Sequence, residues 1–188
     1  MEVVGLHWLF VGPKGLHMTT PNEDTFNQTK DYLNTLIDLC ADLGGQVLVV
    51  GSPNQRSLVD GQTHAGAWKR MGALFNSVLK NAMDRHVNIC LEPLSPVETD
   101  FINTVEEGVR MVREIKHPNL RVHLDVKAMA SESIPIADII QSTKIADIGH
   151  FHVNDSNLYG PGMGKIDYKP IAGAIDTIGW DKWLSVEV

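Results

Sequence analysis

His150-Phe151-His152-Val153-Asn154-Asp155 decides how this chain is read. The run is a strand that carries two imidazoles on one side. It then breaks into Ser156-Asn157-Leu158-Tyr159-Gly160-Pro161-Gly162-Met163-Gly164. Three other strand-like runs end on a single acid: Val87 to Glu92, Arg121 to Asp125, and Trp183 to Glu187. Four strand ends offering Glu92, Asp125, His152 and Glu187 make a socket for one divalent metal ion. Three carboxylates and one imidazole are mostly hard donors, which favours Mn2+ or Mg2+ and admits Co2+ or Zn2+. Without a cation the carboxylates would repel one another, and at least one would be hard to ionise. Taken singly, each acid also suits a helix cap or a loop salt bridge, and His152 alone suits a hydrogen-bonded core histidine. The set of four carries the inference.

Outward from that stretch the chain alternates strand and helix. Val3 to Trp8 reads as a strand, followed by a loop rich in Gly and Pro. Thr20-Pro21-Asn22-Glu23 marks a helix start with Pro near the first helical position, and Gly44-Gly45 stops that helix. Gln46 to Val50 is an apolar strand. A second helix carries Trp68, Met71, Leu74, Phe75, Val78, Leu79 and Ala82. Thr104-x-x-Glu107 is a capping-box pattern for a helix over Val105 to Ile115. Short helices follow around Ile136 to Ile140 and Tyr168 to Ile178.

Strict alternation predicts parallel strands with helices outside. The repeat of roughly 30–40 residues is that of one βα unit in a (β/α)8 TIM barrel. Parity agrees. Val87, Ile89 and Leu91 share one face, and Asn88, Cys90 and Glu92 the other; Val122 and Leu124 oppose His123 and Asp125; Leu184, Val186 and Val188 oppose Ser185 and Glu187. The apolar sets suit a helix layer and the polar sets a barrel interior. About six strands are countable, so the α/β fold is expected as six of eight βα units in one domain, residues 1–188, short at both ends.

Composition narrows the function. Apolar residues make up 43% and charged residues 21%, as in a globular domain. A net charge of −7 with no basic cluster argues against a nucleic-acid partner. No apolar run reaches the ~18–20 residues of a membrane span, and no signal-peptide pattern is present. Cys40 and Cys90 lie within apolar patterns, so a reduced, cytoplasmic setting without disulfides is expected. Open strand edges would make homo-oligomerisation a hazard.

Further candidates line the same rim. His7 and Trp8 end the first strand, where an indole suits stacking on a flat ligand face or plain packing. Arg56 follows the second strand, where it suits gripping an anionic group or an exposed loop position. Lys127, two residues after Asp125, suits either an anionic oxygen of the substrate or an exposed or salt-bridged position. His150 shares parity with His152 and reads as its support; Asn154 and Asp155 are placed to orient His152 or to bind substrate.

The runs Leu91 to Phe101, His123 to Met129, His150 to Gly164 and Ser185-Val186-Glu187 resemble the sugar phosphate isomerase/epimerase family, within the xylose isomerase-like barrels. That resemblance implies metal binding by Glu92, Asp125, His152 and Glu187. It also implies an acid/base pair of Glu92 and Glu187, and contact of Glu98 with sugar hydroxyls. Ala128 and Leu158 stand where ketose epimerases carry a His and often an Arg, which leaves the substrate open. The expected chemistry is proton abstraction beside a carbonyl through a metal-stabilised enediolate, then return to the opposite face or to the neighbouring carbon. An inosose-dehydratase-like lyase and a non-catalytic fragment stay open.

Overall fold

In the computed structural model, which describes residues 2–188, six parallel strands pair in sequence order: β1 (Gly5–Leu6), β2 (Val47–Val50), β3 (Asn88–Leu91), β4 (Leu120–Asp125), β5 (Ile148–His152) and β6 (Leu184–Ser185). The sheet curls into part of a barrel. The helices between the strands are α1 (Glu23–Asp42), α2 (His64–Asp84), α3 (Val105–Ile115), α4 (Val126–Met129), α5 (Ile136–Ser142) and α6 (Tyr168–Thr177).

Local chemistry sets the helix boundaries. Asn22 caps α1, its side chain accepting from Thr25 N, so Pro21, expected near the first helical position, lies just before the cap. Thr104 accepts from Glu107 N as the capping box predicts. The return bond goes one residue back, from Asn103 N to Glu107 Oε2 at 2.8 Å. On α2, Met71, Leu74, Phe75, Val78 and Leu79 are buried at helical spacing. Each contributes on the order of 1.5–3 kcal/mol by leaving water.

Strand parity divides the molecule in two. Ile89, Leu91, Val122, Leu124 and Phe151 join the large core between sheet and helices. On the other face Val47, Val49 and Cys90 form a small separate cluster in the interior below the strand ends, where a second cavity of about 290 Å3 opens beside Val47, Val49 and His150. Between β4 and β5 the register slips: Val122 pairs with Ile148, but His123 pairs with His150. Gly149 is therefore an extra residue, and it permits Ile148 to face the helices while His150 and His152 face inward. A Cβ at Gly149 would collide with Cys90 Sγ.

The outermost strands are shorter than the sequence suggests. β1 pairs only at Gly5 and Leu6, and Trp8 already has φ 55°. β6 pairs only through Leu184 and Ser185. Leu184, Val186 and Val188 were expected beneath a helix layer; they are exposed, at 42%, 56% and 76%. Among the described residues no helix is long and apolar enough to cross a membrane.

Candidate active site at the strand ends

The C-terminal ends of the strands open into a cavity of about 680 Å3. Glu92, Asp125, His152 and Glu187 all line it, as do His7, Trp8, Glu98, Lys127 and Asn154.

Each acid owes its place to its strand end. Glu92 follows β3 and is only 7% exposed. Gly51, after β2, makes room for it: a Cβ there would collide with Glu92 Oε2. Asp125 ends β4 and divides its oxygens between two tasks. Oδ1 caps α4 by accepting from Ala128 N at 2.7 Å, and Oδ2 accepts from Asn154 Nδ2 at 3.0 Å. Oδ2 also lies 3.8 Å from His152 Nδ1. The helix-cap reading and the ligand reading of Asp125 are thus compatible in one side chain.

Glu187 bridges the two outer strands. Oε2 lies 2.8 Å from His152 Nδ1. Oε1 accepts from Trp8 Nε1 at 2.5 Å and lies 3.3 Å from His7 Nδ1. Burial works against ionisation of Glu187, but the bonds from His152, His7 and Trp8 outweigh it and hold the carboxyl well below the usual range. Glu92 goes the other way. Burial first, then the charges of Asp125 and Glu187, push it well above the usual range. Burial also raises Asp125, against its bond from Ala128 N.

One residue missing from the expected ligand set stands at the centre. His123 on β4 is fully buried, with Nε2 3.9 Å from Glu92 Oε1 and its ring centroid 4.1 Å from that of His152. Glu92, His123, Asp125 and His152 each present a ligand atom, and these atoms all lie within 4.8 Å of one another. Glu187 falls outside that group of four, held instead against His152 and the end of β1. Parity had placed His123 on the interior face, but nothing in the sequence separates a ligand from a buried core histidine.

Several other expectations change. Arg56 does not reach the cavity. It is fully buried, and its two terminal nitrogens donate to the carbonyls of Glu92, at 2.5 Å, and Ile102, at 3.0 Å. The turn Pro53–Gln55 points it inward, so it fixes the end of β3 instead of gripping a ligand. Burial pulls its guanidinium down to about 10, which leaves it cationic at neutral pH. Asp155 does not touch His152. Its carboxylate accepts from the backbone of Ser156, Lys165 and Ile166 and so pins the following loop. That loop needs Gly164, where a Cβ would collide with Asp155, and Gly162 at φ 79°. Asn154 orients Asp125, not His152, and also accepts from Lys127 N. His150 bonds Ser185 Oγ at 2.8 Å and packs edge-on to His152 without bonding it.

The polar wall of the cavity is an ion pair. Lys127 Nζ donates to Glu98 Oε1 at 2.6 Å, and Ser95 Oγ donates to Glu98 Oε2, also at 2.6 Å.

The donor set fits a divalent cation. Donors on opposite sides of one ion at ~2.0–2.3 Å lie roughly 4–4.6 Å apart, the span of this cluster. Among the described residues the ion-pair partners of the Glu92 and Asp125 carboxylates are histidines, with no lysine or arginine bonded to either. The negative charge drawn together there is what a cation would neutralise.

A parallel partial barrel with polar groups converging at the C-terminal strand ends is the architecture of a TIM-barrel active site. The family description that matches, over residues 1–188, is the xylose isomerase-like TIM barrel, and the chain belongs to that family. Among curated relatives, the D-psicose 3-epimerase of Ruminiclostridium cellulolyticum is 35% identical over 122 residues, covering 65% of this chain and 41% of that protein. The ketose 3-epimerase of Arthrobacter globiformis is 28% identical, covering 81% of this chain and 52% of its own length. Among solved structures, D-psicose 3-epimerase with D-tagatose from Clostridium cellulolyticum matches with a TM-score of 0.83 at 27% identity, over 93% of this chain and 61% of that one. The chain thus spans about half the length of these relatives.

Proposed function

We propose that this chain carries the acid/base and metal-binding part of a sugar epimerase or isomerase acting on a ketose. The observation that carries the reading is the placement of Glu92 and Glu187 on one cavity with Asp125 and His152. The relatives named as ketose 3-epimerases support the same class. In this reading Glu92, Asp125 and His152 hold a divalent cation, and Glu187 joins them by exchanging its bond to His152. A bound cation would withdraw charge from a substrate carbonyl and acidify the adjacent C–H.

The remaining work belongs to the side chains. Glu92 approaches from β3 and Glu187 from β6, so the two carboxylates reach a bound sugar from different strands. One takes the proton from carbon and the other returns one, a division that changes configuration. Glu98 and Lys127 together offer an acceptor and a donor side by side, which suits a pair of neighbouring hydroxyls. Trp8, Phe10 and Leu158 supply an apolar surface across the cavity. Val49 adds an apolar patch to the lining below the carboxylates.

The test is deuterium wash-in from heavy water into a panel of ketoses, with Mn2+ present and after chelation. Exchange at the carbon next to the carbonyl, lost in Glu92→Gln and on chelation, supports the reading. Loss of water from the substrate would instead identify a lyase. Absence of exchange in every sugar with the cation bound would overturn the catalytic assignment.

A further inference from the structure

Among the described residues, five buried side-chain nitrogen atoms have no hydrogen-bond partner. Three belong to Arg56, Arg70 and Arg85, each of which bonds through its other nitrogens. The other two are Nδ1 and Nε2 of His123, whose ring makes no hydrogen bond at all. A fully buried imidazole with both nitrogens idle is costly, because an imidazole always has at least one N–H to place and leaving it unpaired forfeits its solvation.

The surroundings of His123 offer one remedy. His150 is already bonded to Ser185, and His152 to Glu187. Cys90 Sγ points to the carbonyl of Asn88. Glu92 Oε1, at 3.9 Å from Nε2, is too far for a hydrogen bond yet suitably spaced to share an ion with it. His123 therefore has a nitrogen within the cluster defined by Glu92, Asp125 and His152 and no protein group to satisfy it.

We propose that His123 is itself a ligand of the divalent cation, through Nε2. This rests on the metal-binding reading above and extends it. With His123 bound, the site supplies two imidazoles instead of one. Imidazole nitrogen strengthens binding of Mn2+ and, more so, Co2+, and does little for Mg2+, which prefers oxygen. The site consequently selects a transition metal over Mg2+, and His123 sets that selectivity.

The direct experiment is pulsed EPR on the whole chain loaded with Mn2+, its histidines labelled with 15N. Two directly coordinated nitrogens in the wild type and one in His123→Gln support the proposal. In parallel, His123→Gln weakens Co2+ at least tenfold more than Mg2+ by calorimetry. One coordinated nitrogen in the wild type overturns the proposal and leaves the metal site standing, a result that does not depend on whether the variant folds. If no divalent cation binds the wild type, the metal reading falls together with this one. His123→Leu supplies a stability readout: it leaves the metal-free melting temperature unchanged or higher, and abolishes much of the rise on adding Co2+. A large drop in the metal-free protein would instead show a structural histidine.

Discussion

Glu187 Oε2 sits 2.8 Å from His152 Nδ1 while its other oxygen accepts from Trp8 Nε1, so one carboxylate ties the last strand to the first across the open side of the barrel. A cation that recruits Glu187 through Oε2 draws charge from the same carboxylate whose Oε1 the indole bonds. Addition of Mn2+ or Co2+ is expected to change tryptophan emission, and Trp8→Phe removes that change. The lost hydrogen bond lowers stability by only about 1 kcal/mol, because Trp8 is 68% exposed. Fluorescence titration of both proteins checks this, and an identical response in Trp8→Phe would contradict it.

Glu92 is held above the ordinary carboxylate range by burial and by neighbouring negative charge. A raised folded-state pKa means the folded protein binds more protons than the unfolded one above the ordinary carboxylate value of ~4.3, so this group's penalty grows as pH rises from there through the folded pKa. Glu92→Gln removes that penalty. The metal-free variant should be at least as stable as wild type at pH 8, yet lose the stabilisation given by a cation. Proton exchange into substrate should fall by about 10²–10⁴-fold. Urea unfolding with and without chelator, beside exchange rates, measures both effects.

Gly51 gives Glu92 its space, and a Cβ there meets the carboxylate directly. Gly51→Ala should displace Glu92 from the cluster while the strands pair as before. The expected result is a loss of cation affinity of roughly 10–100-fold. Circular dichroism should be unchanged. Wild-type affinity in the variant would show that Glu92 is not a ligand.

Arg56 braces the end of β3 by donating to the carbonyls of Glu92 and Ile102. Arg56→Met strands the Glu92 carbonyl and should cost about 1–3 kcal/mol in urea unfolding. If Arg56 instead gripped substrate, the loss would appear in KM with stability intact.

Cys90 is pushed up to about 12 by burial, and burial raises Cys40 as well. Neither thiolate forms at neutral pH, so a disulfide reagent should modify no thiol in the native protein and two in urea. Rapid native labelling would mean that the barrel interior opens readily.

Much of this arrangement was legible in the residues. Strand and helix alternate visibly, and lone acids at strand ends are rare enough as a repeated pattern to point to one site. Thr104-x-x-Glu107 located α3 because capping is a local interaction. What stayed hidden depends on contacts remote in sequence. Arg56 lies in a polar loop and looks exposed; only the turn at Pro53–Gln55 aims it inward. His123 looks like any interior strand histidine until its neighbours prove to be committed elsewhere. The Gly149 bulge is invisible to parity, which treats Ile148 as a partner of His150. The ends of β1 and β6 pair with a neighbour on one side only, so apolar alternation overstates their length.

The most direct test of the whole account is anomalous diffraction from crystals soaked in Mn2+. The account predicts a single strong peak within ~2.0–2.6 Å of Glu92, Asp125 and His152. No peak at millimolar Mn2+, or a peak away from those three side chains, would contradict it.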